Sequence, residues 1–291
     1  MRIDVHRYEL RRRDGGVRRG ALLRIDDGYA DVHPWPELGD APLDEQLALL
    51  ARGETTQLTG ASLHWAGVDA EARKRGVSLF EGLTIPESHW PGADPPDGFD
   101  TVKIKGVQPV PEHVRIRIDF NARLTAEEFL RVAETLPKER IDFIEDPCPY
   151  DAATWRELRV RSGLRLALDR FAGEADVLVH KPALSAGFPS FNGEIVVTSY
   201  MDHPVGQFFA AYVAASLSGG PGSQPGRRRA ESPSVQRGRI SARCGLMTHV
   251  LYEPDVFLER VRRNGARLLP PGGTGIGFDD LLERLPWTSI G

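Results

Sequence analysis

Two acidic motifs decide the fold that the sequence predicts: Arg117-Ile-Asp-Phe-Asn121 and Asp142-Phe-Ile-Glu-Asp-Pro-Cys148. Each accompanies a short β-favouring run and delivers a carboxylate where that run ends. Residues 125–136 between them read as a helix, because Thr125 can cap it with Glu128 three residues on and apolar residues recur on one face. Strand, carboxylate, helix, strand, carboxylate is a βαβ unit with both acids at the carboxyl ends, where parallel α/β folds bind ligands.

Short apolar runs continue on both sides of this unit. They give eight candidate parallel strands, at residues 77–83, 101–105, 114–119, 141–145, 164–169, 177–181, 194–199 and 245–250. Eight such strands favour a closed barrel over an open sheet. The linkers 106–113 and 170–176 are too short for a crossover helix. Either those crossovers are reduced to a turn or two, or the strand assignment is wrong there.

The chain before the barrel reads as a small α+β unit. Alternating residues predict strands at 2–10 and 20–30 around the hairpin signal Asp14-Gly-Gly16, and helices follow at 42–51 and 57–75. After the seventh barrel strand we expect a helix from His203, a loop rich in Gly, Ser, Pro and Arg at 218–239, and a last helix at 254–263.

Composition excludes several classes of protein. The 291 residues are 41% hydrophobic and 27% charged, with a net charge of −4, so no basic surface suggests nucleic acid. Cys148 and Cys244 lack C-x-x-C spacing, which favours a reducing compartment. The N-terminus has no apolar signal-peptide core, and the most apolar stretch, residues 208–217, is too short to cross a bilayer. We therefore expect a cytoplasmic protein without membrane contact.

Polar side chains end consecutive predicted strands and would meet at one mouth of a barrel. They are Lys103, Lys105, Asp119, Asn121, Glu145, Asp169, Lys181 and Ser199. Three carboxylates, Asp119, Glu145 and Asp169, would form a hard oxygen site suited to Mg²⁺. Lys105 and Lys181, from the second and sixth strands, would lie on opposite sides of it.

This arrangement suits removal of a proton next to a metal-bound carboxylate. A divalent ion stabilises the enolate as its charge develops. A lysine base must be neutral near pH 7, whereas the pKa of free lysine is about 10.4. A neighbouring cation such as Lys103, together with the metal, would lower that pKa, which is a physical reason for a Lys-x-Lys pair.

Each motif alone has an ordinary structural explanation. Lys103 and Lys105 alternate with apolar residues, as on any strand with one solvated face, and Asp119 or Asp169 could be a turn or capping acid. Glu145-Asp-Pro147 could simply begin a loop. The order of these motifs, each at a predicted strand end, favours the site.

At these residues the chain resembles the enolase superfamily and, within it, the o-succinylbenzoate synthases. The resemblance covers about residues 77–210 and is looser in the N-terminal unit. The matching motifs are Thr101-Val-Lys-Ile-Lys-Gly106, Arg117-Ile-Asp-Phe-Asn121, Phe143-Ile-Glu-Asp-Pro-Cys148, Leu166-Ala-Leu-Asp169, His180-Lys-Pro-Ala-Leu-Ser-Ala-Gly187 and Thr198-Ser-Tyr-Met-Asp-His-Pro-Val-Gly206.

The resemblance implies an α/β fold: a modified (β/α) TIM-type barrel at 77–251 with an N-terminal α+β capping domain at 1–76, completed by 252–291. It also implies Mg²⁺, with Mn²⁺ as an alternative ion, bound by the three carboxylates. The expected reaction is the syn dehydration of 2-succinyl-6-hydroxy-2,4-cyclohexadiene-1-carboxylate to o-succinylbenzoate in menaquinone synthesis. The expected enzyme is a lyase, acting on a small molecule as a monomer or homodimer.

The resemblance also implies roles for single residues. Lys105 would take the α-proton and then protonate the departing hydroxyl, while Lys181 would stabilise the enolate as a cation over its π face. Asn121 and Arg117 would support the metal and lysine pairs. Ser199 and the following backbone would meet the succinyl group.

One departure and two alternatives stay open. The seventh strand carries Ser199-Tyr-Met-Asp-His203 where the family more often has a serine-rich stretch with Glu-Ser, so succinyl recognition is in question. An N-succinylamino acid racemase or dipeptide epimerase would use the same metal and lysines. Such epimerases usually carry an acidic pair on strand eight, which residues 242–249 lack. A non-catalytic barrel scaffold is the remote alternative.

Overall fold

The computed structural model describes residues 2–169, 173–219 and 239–290. Its N-terminal unit has three antiparallel strands, β1 (Ile3–Arg11), β2 (Val17–Ile25) and β3 (Gly28–Val32), and two helices, α1 (Leu43–Ala51) and α2 (Gln57–Lys74). Both predicted helices are confirmed, but the second predicted strand is two strands. The Asp26–Asp27 turn divides it, with Asp26 in the left-handed region at φ 52°.

The N-terminal unit has a continuous core. Helix α2 begins at a capping box of Thr56 and Thr59 and packs against β3. Trp65 of this helix is buried, and its indole N–H donates to the Pro182 carbonyl 2.9 Å away. Since Pro182 follows the sixth barrel strand, one side chain joins the N-terminal unit to the barrel.

The barrel begins with β4 (Glu87–Ser88) and β5 (Trp90–Pro91). Its further elements are β6 (Thr101–Lys105), β7 (Arg115–Asp119), α3 (Ala126–Thr135), β8 (Ile141–Glu145), α4 (Ala152–Ser162), β9 (Leu166–Asp169), β10 (Val177–His180), β11 (Glu194–Val197), α5 (Pro204–Ser218), β12 (Arg239–Ile240) and β13 (Arg243–Cys244). Strands β5 to β12 form an eight-stranded parallel sheet in chain order. Short 3₁₀ helices lie at Pro36–Leu38, Lys138–Arg140, Pro182–Leu184, Thr248–Leu251 and Leu258–Arg260.

Two interrupted strands close this sheet into a ring. β13 pairs in parallel with β4, and the His89 N–H donates to the Cys244 carbonyl 2.9 Å away. Thr198, directly after β11, forms a parallel bridge with Gly245. Residues 87–91 therefore act as strand one and residues 239–245 as strand eight. The predicted α/β fold with a modified barrel is confirmed.

The short crossovers are real. Helices α3, α4 and α5 cover the outside of the barrel, but residues 106–114 connect β6 to β7 without a helix. Residues 173–176, the described part of the connection from β9 to β10, also contain none. The predicted loop at 218–239 lies mostly outside the described residues.

Three predicted elements are wrong. Residues 77–83 form turns rather than barrel strand one, with Gly82 left-handed at φ 69° and Leu79 and Phe80 buried in the core. The strand predicted at 245–250 shares only Gly245 with strand eight, and the residues after Gly245 lead into a 3₁₀ helix. The predicted helix at 254–263 is only a 3₁₀ turn, because its last residues enter a hairpin.

That hairpin opens the C-terminal segment, which consists of β14 (Arg262–Asn264), β15 (Arg267–Leu269), α6 (Asp279–Leu282) and β16 (Thr288–Ile290). β15 pairs with β4, whereas β16 adds to the N-terminal sheet beside β1. The C-terminal segment thus touches both units, and the domain limits at 76/77 and 251/252 stay a prediction. Among the described residues, no helix combines the length and apolarity needed to span a bilayer.

Candidate active site

The predicted site residues lie at the carboxyl ends of adjacent parallel strands. Lys105 is opposite Asp119 in the β6–β7 register, and Asp119 is opposite Glu145 in the β7–β8 register. Because side chains alternate along a strand, Lys103 shares the inward face with Lys105. A buried apolar cluster fills the barrel on that same face, and it consists of Phe143, Ala167, Val177, Val179 and Val196. The charged residues therefore lie above an apolar floor.

Lysines and carboxylates form close pairs at this mouth. Lys103 Nζ is 2.6 Å from the Glu145 carboxylate and 3.4 Å from Asp119 Oδ2. Lys105 Nζ is 2.5 Å from Asp119 Oδ2 and 2.9 Å from Asn121 Oδ1. The Lys105 side chain is 60% exposed, so its ammonium group faces the open mouth, whereas its partner Asp119 is buried.

The electrostatic balance distinguishes these groups. Burial alone would lower the pKa of Lys103, but the charges of Glu145, Asp119 and Asp169 raise it above its ordinary value. Burial alone would raise the pKa of Asp119, yet the two lysines hold it below its usual range. Burial raises the pKa of Glu145 to about 7. Lys103 is therefore a permanent cation, and Lys105 is the exposed lysine beside it.

Lys181 approaches the carboxylates from the sixth strand. Its ammonium group forms an ion pair with Asp169 Oδ2, and the Lys181 side chain is only 11% exposed. Asp169 Oδ1 is buried and has no hydrogen-bond partner among the described residues. A buried carboxylate oxygen without a partner is costly, which makes it a natural ligand for a cation.

The donor set fits a hard divalent ion. Asp119, Glu145 and Asp169 carry carboxylate oxygens at the ends of three consecutive strands, and Asp169 Oδ1 has no hydrogen-bond partner among the described residues. In the described part of the chain, no three His, Cys, Asp or Glu side chains converge as a formed metal cluster. Residues fit for Mg²⁺ are thus present at the predicted positions.

Asn121 and Asp146, which each follow the end of a strand, adopt left-handed backbone conformations. Asn121 has φ 49° and donates its N–H to Asp119 Oδ1 at 2.8 Å, which orients that carboxylate. Asp146 has φ 42° and accepts the Asp169 N–H at 3.2 Å. Burial, with the nearby charges of Glu145 and Asp169, raises the pKa of Asp146 to about 8. Such strained conformations are typical of functional sites.

Arg117 is buried inside the barrel. Its guanidinium donates to Asp142 at 2.8 Å, to the Arg243 carbonyl at 2.9 Å and to Ser241 at 3.2 Å, and it meets His89 Nδ1 at 2.9 Å. These partners include strands one and eight. Arg117 therefore ties strand three to the two interrupted strands that close the ring.

Ser199 and its neighbour Thr198 have different environments. The Ser199 hydroxyl bonds to the Thr248 hydroxyl and is buried. Thr198 shares the inward strand face of Val196, and its hydroxyl is buried with no hydrogen-bond partner among the described residues. The period-two pattern from Val196 could have identified Thr198 as the inward hydroxyl, but sequence reasoning chose Ser199.

Sequence reasoning missed other polar residues around the site. Asp146 lies within the Asp142–Cys148 motif without a predicted role. Its backbone strain has no signal in the sequence. Tyr8 and Asp31 of the N-terminal sheet contact the segment after strand seven, and they were missed because they lie far away in the chain.

Comparisons with known proteins agree with this geometry. The model of the o-succinylbenzoate synthase N-terminal domain matches residues 3–72, and that of the enolase C-terminal domain-like family matches residues 96–179. An o-succinylbenzoate synthase from Bdellovibrio bacteriovorus is 32% identical over 94% of this chain and 92% of that relative.

Solved structures share the fold at low sequence identity. A putative mandelate racemase/muconate lactonizing enzyme from Roseovarius nubinhibens, complexed with magnesium, has a TM-score of 0.69 at 17% identity, covering 100% of this chain and 99% of that one. A dipeptide epimerase from Enterococcus faecalis has a TM-score of 0.68 at 13% identity, covering 95% and 98%. These likenesses establish the fold alone.

Proposed function

Because the chain belongs to the o-succinylbenzoate synthase family of the enolase superfamily, we propose that its barrel mouth is the active site of that lyase. The reaction is the Mg²⁺-dependent syn dehydration of 2-succinyl-6-hydroxy-2,4-cyclohexadiene-1-carboxylate to o-succinylbenzoate, a step of menaquinone biosynthesis. The observation that carries the proposal is the arrangement of two lysines, Lys105 and Lys181, on either side of three strand-end carboxylates.

Lys105 is the base and then the acid. It takes the α-proton of the substrate and returns a proton to the departing hydroxyl on the same face, which gives syn stereochemistry. Its exposed ammonium group and its contacts with Asp119 and Asn121 support this role, because they aim the group into the mouth. Lys103, held by Glu145, lies on the same strand face and adds a second positive charge beside it.

Lys181 faces the substrate from the opposite side. Its side chain is largely buried and stays oriented by Asp169, so its positive charge is fixed before the reaction starts. A cation over the face of the ring stabilises the enolate electron density. A fixed charge does this at little reorganisation cost.

Asp119, Glu145 and Asp169 would hold the metal. When bound, Mg²⁺ neutralises the charge that develops on the substrate carboxylate. Two hydrogen bonds to backbone N–H groups keep these strand ends in place. The Asn121 N–H donates to the Asp119 carboxylate, and the Asp169 N–H donates to the Asp146 carboxylate. The apolar floor below excludes water from the lower side of the reacting ring.

An N-succinylamino acid racemase or dipeptide epimerase is the alternative activity, with both lysines acting as opposed bases. Strand eight and the residues after it, 239–252, contain no Asp or Glu that could hold a substrate ammonium group. This composition favours the dehydratase. A scaffold without activity would have no need for two lysines held in these ion pairs.

Turnover of the cyclohexadiene substrate, followed by ultraviolet absorbance with Mg²⁺ and after EDTA, tests the proposal. We expect turnover that EDTA abolishes and added Mg²⁺ restores. Failure of the folded, Mg²⁺-binding protein to turn over this substrate would refute the dehydratase. Exchange of the α-proton of N-succinylamino acids and dipeptides in D₂O would then measure the alternative. A cytoplasmic location and a monomeric or homodimeric state belong to the same proposal.

A further inference from the structure

The segment Ser199-Tyr-Met-Asp-His203, whose sequence departs from the family pattern, is anchored by the N-terminal unit. The Trp35 indole N–H donates to the Tyr200 carbonyl at 2.8 Å, and the Tyr200 hydroxyl bonds to Asp40 at 2.8 Å. The His203 N–H donates to Asp31 at 3.1 Å. The position of this segment after strand seven therefore depends on contacts with the N-terminal unit.

Two carboxyl groups meet at the centre of this contact. Asp202 is only 2% exposed, and Asp31 of β3 is partly buried. Both lie over Gly206, where a β-carbon would be 2.6 Å from Asp202 Oδ2 and 2.7 Å from Asp31 Oδ2. Only glycine leaves room for both carboxyl groups above the first turn of α5. Two carboxylates this close cannot both stay charged without strong repulsion.

No lysine or arginine among the described residues forms an ion pair with either group. The Tyr8 hydroxyl donates to Asp31 at 2.6 Å, and the Tyr252 hydroxyl, which donates to the Met201 carbonyl, lies close by. Arg12 and Arg18 of the N-terminal sheet form their ion pairs with other carboxylates, Asp14 and Glu37.

The two nearby histidines bring no positive charge. Burial lowers the pKa of His33 to about 3 and holds that of His203 well below its ordinary value. Both rings are therefore neutral at pH 7. The partial positive charge at the start of α5 can stabilise one negative charge but not two.

We propose that Asp31 and Asp202 share one proton, and that this singly charged pair positions Ser199 by locking the strand-seven segment onto the N-terminal sheet. Burial and the charge of Asp202 raise the pKa of Asp31 well above its ordinary value, and burial raises that of Asp202 to about 7. Asp202 lies three residues after Ser199 in the same segment, so the pair acts on the end of strand seven through this stretch of backbone. Loss of the shared proton creates two like charges and pushes the two elements apart.

The consequence for catalysis rests on the proposed function. Between about pH 6 and about pH 9, the KM of the wild-type enzyme for the cyclohexadiene substrate should rise about fivefold or more beyond any change in kcat. In Asp202→Asn or Asp31→Asn, an amide replaces the protonated acid, and this rise should disappear. Asp255→Asn is the matched control, because Asp255 is also partly buried, but its carboxylate accepts from the Phe257 and Leu258 N–H groups rather than facing the Asp31–Asp202 pair. It should follow the wild type.

A second readout does not depend on turnover. A carboxyl group whose pKa is raised on folding stabilises the protein at low pH, and this stability is lost as pH rises through the folded pKa. The melting temperature should therefore fall more steeply from about pH 6 to about pH 9 in the wild type than in Asp202→Asn. The proposal is overturned if Asp202→Asn keeps the wild-type pH dependence in both KM and melting temperature. If the wild type has no dehydratase activity, the melting profiles alone decide, and only the proposed function has failed.

Discussion

Replacing Arg117 with methionine removes a buried side chain that ties strand three to both interrupted strands. Methionine is apolar and of similar length, so it can fill the space without restoring any hydrogen bond. The guanidinium is 1% exposed and bonds to Asp142, Ser241 and the Arg243 carbonyl. Its removal leaves these groups without that partner inside the barrel. Breaking a buried pair in this way costs about 3–5 kcal/mol.

Equilibrium urea unfolding measures this cost. We expect the midpoint of Arg117→Met to fall by about 1 M or more at an unchanged slope. Arg115→Met is the matched control, because Arg115 bonds to the same Asp142 at 3.2 Å but is 61% exposed, so its loss should cost less than about 1 kcal/mol. Equal midpoints for the two variants would refute the assignment of Arg117 to barrel closure.

Further predictions concern capping, pH and catalysis. Thr125→Ala removes the capping box with Glu128 and should cost about 1 kcal/mol in urea unfolding, and a change below a few tenths would contradict the cap. Because the pKa of His33 falls from 6.5 to about 3 on folding, the unfolded chain binds the proton first as pH drops. Stability should decrease by about 2 kcal/mol from pH 6.5 to about pH 5, and less in His33→Gln; equal slopes would contradict this. Lys181→Met should fold normally but lose turnover by about 10²-fold or more, and near-normal turnover would exclude a catalytic cation.

The centre of the barrel could be predicted because its sequence signals are local. Strands such as Thr101–Lys105 and Ile141–Glu145 are uninterrupted runs that mix apolar and polar residues and end in a charged residue. The register then places Lys105, Asp119 and Glu145 side by side. Parallel pairing from consecutive strands requires no knowledge of distant contacts, and this is why the site residues could be chosen from sequence.

The first and last barrel strands could not be predicted in the same way. Strand one consists of two-residue pieces around His89 and includes Pro91, and strand eight is broken at residues 241–242. Neither segment has a period-two pattern of apolar residues that would predict a strand. Pairing with neighbouring strands in the closed ring keeps each segment extended. Arg117 contacts both of them, and its partners are up to 126 residues away in the chain.

Two local turn signals in the sequence indicate features that the predicted elements lack. Asp26-Asp-Gly28 is a turn signal that divides the predicted strand at 20–30. Asn264-Gly265 is a hairpin signal, and it lies directly after the wrongly predicted helix at 254–263. In contrast, the contact of Trp35 with Tyr200 spans 165 residues. Nothing local in either segment indicates it.

The most direct test of the central claim is the turnover of Lys105→Ala with saturating Mg²⁺, measured beside its affinity for o-succinylbenzoate. Loss of a general base should reduce turnover by about 10²–10⁴-fold while product affinity stays near that of the wild type. This result would place the base at the end of strand two. Turnover within about tenfold of the wild type would contradict the account, because another group would then remove the proton.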